Sequence, residues 1–194
     1  KAINESLSQI ASGSRINKSA DDAAGLAISE NLKASIRSIK QANRNANDGM
    51  SLVQVAEGGL NEIGNIIVRL RELGVQAASD TIGDRERGFI NKEVEQLKAE
   101  SQRIAQTTTW GSQKLLDGSF PTYDFQIGIY NNETEDRISF NASENVATLD
   151  ALGIAGVDFM TKEGAQGALA SLDEAQYRVN SSRSNLGALQ NRLL

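Results

Sequence analysis

DDAAGLAISENLKASIRSIKQANRNANDGMSLVQVAEGGLNEIGNIIVRLRELGVQAASD runs from Asp21 to Asp80 without a proline. Its first part repeats Ile28, Leu32, Ile36, Ile39, Asn43, Ala46, Met50 and Val53 in steps of three and four. The stripe then shifts to Leu52, Val55, Gly59, Ile63, Ile66, Leu70, Leu73 and Ala77. Such spacing puts one face of an α-helix in register with a partner. It predicts one helix over about 22–78, a rod of roughly 80 Å. Helices of ordinary globular proteins average about 12 residues. A helix this long with steps averaging about 3.5 calls for coiled-coil-like packing on other helices. Ser19 is the expected N-cap, and Asp21 and Asp22 place negative charge at the helix N-terminus.

The remaining elements are shorter. Ile3, Leu7 and Ile10 predict a helix over 1–12, ended by SGSRINKSADD (12–22). SDTIGD (79–84) reads as a turn with Asp84 as the next cap. Ile90, Val94, Leu97, Ser101 and Ile104 then predict a helix over 84–107, folded back antiparallel on the first. Tyr123, Phe125, Ile127 and Ile129 alternate with polar residues, as do Ile138, Phe140 and Ala142 beyond the turn NNETED (131–136). This predicts a β-hairpin region over 114–142. Leu172, Val179, Leu186 and Leu193 fall on strict heptads in a last helix over 161–194, with Ala168, Ala175, Ser182 and Leu189 as companions. The expected fold is mainly α: one core domain over 1–194, an elongated bundle of long antiparallel helices with a small β-hairpin element at one end. Ile63, Leu70, Leu97, Leu172, Val179 and Leu186 are the expected helix-packing core.

Composition narrows function. The 194 residues include no His and no Cys. Thiol nucleophiles, disulfides, common zinc ligands and the commonest general base are therefore absent. With 20 Lys+Arg against 25 Asp+Glu, the net charge of -5 argues against binding a nucleic-acid phosphate backbone. No apolar run approaches the ~20 residues of a membrane span. Gly58 and Gly59 form no phosphate loop, and Glu133, Glu135 and Asp136 lack EF-hand order. The pairs Asp21/Asp22 and Glu93/Glu95 read as caps and solvated faces. No catalytic residue, cofactor or metal is expected.

VRLRELGVQAASD (68–80) places Arg69, Arg71 and Glu72 among Val68, Leu70, Leu73 and Val75. Two readings stand. The charges form intrahelical pairs on a solvated face, worth a few tenths of a kcal/mol each. Alternatively they lie on an assembly face, where charges set register and partner choice. Asn43, Asn45 and Asn47 sit mid-helix although Asn is a poor helix former. With Asn31, they suggest amides used between helices or chains.

SGSRINKSADDAAGLAIS (12–29), ANRNANDGMSLVQVAEGGLNEI (42–63), VRLRELGVQAASD (68–80) and RSNLGALQNRL (183–193) together resemble bacterial flagellin. The resemblance covers most of 1–120 and 165–194 in the family's order. It implies a subunit exported through the flagellar type III apparatus, with a chaperone serving the full-length protein. Other flagellin subunits are then its partners in a secreted, extracellular filament used for motility. The family's chain starts some twenty residues before Lys1 and continues a few dozen beyond Leu194. This piece is accordingly expected to lack the terminal tube segments, as well as large outer domains, and to stay monomeric by itself.

The resemblance also assigns an interface. Arg69, Leu73 and Glu93 match positions that contact neighbouring subunits and Toll-like receptor 5, with Arg71, Glu72 and Gln76 flanking them. The chain departs from the family at Gly74, commonly Ala, and at Val68, commonly polar. A hook–filament junction protein and a secreted helical binding module are the alternative expectations. The zinc-protease insert of some flagellins needs H-E-x-x-H and therefore His.

Overall fold

A computed structural model of the chain describes residues 10–13, 15–16, 22–119 and 122–194. Most of the helix expected over 1–12 lies outside these residues, as do Ser19 and Asp21. Helix α1 spans Ala23–Ala77, 55 residues. Asp22 caps it, its side chain accepting from the Gly25 amide at 2.9 Å. Helix α2, Asp84–Thr107, returns antiparallel along α1. Gly83 is its cap and Asp84 its first residue, so Asp84 does not take the capping role expected of it.

The connection is held by one buried guanidinium. Arg87 donates through Nε to the Ala77 carbonyl at 2.9 Å and through Nη2 to that of Ser79 at 3.0 Å. Its Nη1 meets Asp84 at 2.9 Å. The last carbonyls of a helix have no intrahelical donor, and Arg87 supplies it.

The β region holds two small antiparallel hairpins rather than one. Strands β1 (Thr109–Trp110) and β2 (Gln113–Lys114) form the first. Strands β3 (Thr122–Gln126) and β4 (Arg137–Asn141) form the second, with Phe125 opposite Ile138. β3 stops at Gln126, short of the alternation that reached Ile129. Beyond it the Ile127 and Gly128 amides both donate to the Asp136 carbonyl, which ends the ladder. The hairpin rests on α1 where Gly49 leaves room for Phe125: a Cβ there would lie 3.1 Å from the ring. Asn45 secures it, donating to the Gln126 carbonyl at 3.0 Å.

A 3-10 turn (Ala142–Asn145) and the short helix α3 (Leu149–Leu152) lead into a strap that buries Ile154, Val157 and Phe159. Three α2 side chains pin it: Gln102 to the Leu149 amide, Lys98 to the Val157 carbonyl, and Asn91 to the Phe159 amide, each at 2.9 Å. Helix α4, Lys162–Leu193, is capped by Thr161 and packs antiparallel on α1. Leu172, Val179, Leu186 and Leu193 are buried, as are Ala168, Ala175, Ser182 and Leu189. Opposite them lie Leu60, Ile63, Ile67 and Leu70 of α1. Each such fully buried aliphatic side chain contributes about 1.5–3 kcal/mol. Leu97 is only half-buried, at the edge of the core.

The first turns of α1 differ from expectation. Ile28, Leu32, Ile36 and Ile39 are 60, 59, 52 and 49% exposed. No described element covers them. Their heptad spacing is that of the buried stripe, but α4 reaches only the part of α1 beyond about residue 50.

Candidate assembly surface

The outward side of α1 is opposite its buried stripe. Val68 and Val75 lie there, 47 and 52% exposed, about one turn before and one turn after Glu72. With Arg71 and Glu72 they line a shallow depression of about 400 Å³. Two ion pairs border it. Toward α2, Arg69 donates to Glu93 through Nε at 3.0 Å and Nη2 at 2.8 Å, and to Glu72 through Nη1 at 3.1 Å. Toward α4, Arg71 Nε meets Asp173 at 2.5 Å. These hydrogen bonds hold the Asp173 carboxyl below its ordinary pKa and raise both guanidinium values. All four side chains stay roughly half exposed, so the pairs fix geometry more than stability.

The interface residues named from sequence thus separate. Arg69, Arg71, Glu72, Gln76 and Glu93 are exposed. Leu73 is not: at 2% exposure it belongs to the core between the helices. Its side chain points along the buried stripe, one residue from the charged face. Asp173 and the two valines complete the surface and were missed as members of it. Val68 and Val75 recur at i and i+7, but their outward direction emerged only once α2 and α4 fixed the other faces. The mid-helix asparagines divide as well. Asn45 binds the hairpin, whereas Asn47 donates to the Asn43 carbonyl of its own helix.

Among the described residues no cluster of three His, Cys, Asp or Glu could hold a metal. The surface consists of two half-exposed valines bordered by two ion pairs.

The family model for the bacterial flagellin N-terminal helical region matches residues 1–121. A flagellin of Halalkalibacterium halodurans is 40% identical over 97% of this chain and 68% of its own length. The chain belongs to the bacterial flagellins.

This flagellin is also 36% identical to FlaB2 of Treponema pallidum, over 99% of this chain and 71% of that protein. It matches the B-type flagellin of Pseudomonas aeruginosa at 48% over 73% of this chain, but only 29% of that longer protein. The crystal structure of Bacillus cereus flagellin superposes with a TM-score of 0.68 at 27% identity, covering 78% of this chain and 85% of that one. Flagellins are structural and non-enzymatic, and this one is a subunit of the flagellar filament. A filament component of this kind stands outside the cell.

Proposed function

We propose that the outward face of α1, with Glu93 across the groove, is where a neighbouring subunit packs in the filament. The observation that carries this reading is the pair Val68 and Val75, large apolar side chains half exposed on a face that no described part of the chain covers. Interfaces are built around such apolar patches with polar rims. Here the rim is Arg69–Glu93 on one side and Arg71–Asp173 on the other, both preordered. Leu73 supports the face from beneath. Introducing charge at Val68 and Val75 tests the reading: Val68→Glu with Val75→Glu in the full-length protein leaves the circular dichroism of the subunit unchanged and stops its elongation on sheared filament seeds. Elongation at the parent rate overturns it.

The same face is open to Toll-like receptor 5 when the subunit is free. The feature favouring this second use is the Arg69–Glu93 pair, which joins two positions the family resemblance assigns to the receptor. Delivery by type III export with a dedicated chaperone completes the reading. Retention of the subunit inside cells that lack a working export apparatus, with secretion in the parent strain, is the corresponding test.

A further inference from the structure

Two exposed features at different levels of the rod complement one another. The first is a groove of about 590 Å³ on the outer side of α2, lined by Arg85, Phe89, Lys92, Gln96 and Met160. Phe89 is 58% and Met160 49% exposed. The Lys92 ammonium lies 5.7 Å from the centre of the Phe89 ring. Neither Arg85 nor Lys92 forms a salt bridge with a carboxylate among the described residues. Glu95, also at the groove, is engaged by Lys98 at 3.0 Å. The groove is therefore apolar with a basic rim.

The second feature is the tip of the β3–β4 hairpin. Tyr130 is 74% exposed there, and Glu133 and Glu135 are exposed in the same turn. Glu133 also lies 3.7 Å from the Arg137 guanidinium, a loose pair that leaves its carboxylate largely in water. The tip is held in shape from within. Gln126 donates to the Gly128 and Tyr130 carbonyls, the Asn132 side chain accepts from Thr134, and Asp136 accepts from the Asn132 amide. An aromatic ring flanked by acids stands ready with little ordering cost on binding.

These features cannot meet within one chain. The hairpin leaves α1 at Asn45, and Arg69–Glu93 sets Phe89 near the level of Leu73. The helical rise separates them by roughly 35 Å or more. A contact between unlike surfaces on successive copies is heterologous, the kind that generates open helical filaments. We propose that the hairpin tip of one copy docks in the α2 groove of the next. Tyr130 lies against Phe89 and Met160, and Glu133 and Glu135 face Arg85 and Lys92. The occupant is a second copy of this chain, so the inference rests on its role as a filament subunit.

These 194 residues contain no cysteine, so cysteines introduced in them are the only ones in this region. Full-length subunits carrying Tyr130→Cys with Phe89→Cys are assembled on seeds and treated with a short bis-maleimide. A ladder of covalent multimers is expected, and a Tyr130→Cys with Tyr177→Cys control, with Tyr177 69% exposed on α4, gives none. Filaments without a ladder above that control overturn the contact. Charge reversal tests it independently. Arg85→Glu with Lys92→Glu, or Glu133→Lys with Glu135→Lys, slows elongation by about tenfold or more, and the four changes together restore it to within about threefold. Failure of that rescue while the parent elongates overturns the contact alone. A parent that never elongates overturns the filament reading beneath it.

Discussion

Arg69 and Glu93 join α1 to α2 on the exposed side of the rod, with Nη2 to Oε1 at 2.8 Å and Nε to the same oxygen at 3.0 Å. The pair is half exposed, so its removal is expected to leave folding nearly unchanged. Arg69→Ala with Glu93→Ala is expected to shift Tm by no more than ~2 °C. The same variant reduces signalling in a Toll-like receptor 5 reporter assay. Undiminished signalling would remove these residues from the receptor contact.

Two leucines at equivalent heptad positions separate core from surface. Leu186 is buried between α4 and α1, whereas Leu32 stands mostly in water. Leu186→Ala is expected to cost about 2–5 kcal/mol. Leu32→Ser should stay within about 0.5 kcal/mol. Urea denaturation of both variants measures the difference, and equal losses would mean that something covers Leu32 in the free chain.

Arg87 is the buried charge of the α1–α2 connection. Lysine keeps the charge but cannot reach both carbonyls with a planar fork. Arg87→Lys is expected to destabilise by about 1–3 kcal/mol through the Ala77 and Ser79 acceptors. Hydrogen exchange should rise first at the end of α1; unchanged exchange there would mean that the turn holds itself.

The pH response follows from the carboxylates. Hydrogen bonds from Arg71, Lys162 and Arg103 hold Asp173, Asp80 and Glu100 below their ordinary values. A depressed carboxyl adds stability above its unfolded pKa of about 4 and loses it as pH falls through the lower folded value. With no His in the chain, melting temperature should be flat from about pH 5 to 8 and fall below about pH 4. A step near pH 6.5 would contradict this.

Long-range periodicity made the helical rod legible. The heptads of α4 require burial against a partner, and the structure provides it. Of the stripe from Leu52 to Ala77, Leu52, Ile63, Leu70, Leu73 and Ala77 are buried, Gly59 and Ile66 partly so, and Val55 is exposed because the burial shifts to Val53, Ala56 and Leu60. Periodicity was misleading at Ile28–Ile39, where the pattern marks a face that seeks a partner without saying which chain supplies it. Spacing placed Leu73 in the stripe, where it is buried, whereas the family resemblance assigned it to the interface. A single residue step on a helix turns a side chain by about 100°, so its neighbours Glu72 and Arg71 face outward and it does not. Contacts that cross the sequence were invisible. Asp173 meets Arg71 across 102 positions, and Lys98 supports Val157 across 59. Gly74 was seen only as a departure from Ala. The strap explains it: a Cβ at Gly74 would lie 3.1 Å from Phe159 and 3.2 Å from Leu169.

The central claim is that Val68 and Val75 face another subunit in the filament. Hydroxyl-radical footprinting of the full-length protein, free and assembled, reads that directly. Both valines should oxidise readily in the free subunit and several-fold less in the filament. Equal oxidation in the two states would show that this face stays in water and that the subunits join elsewhere.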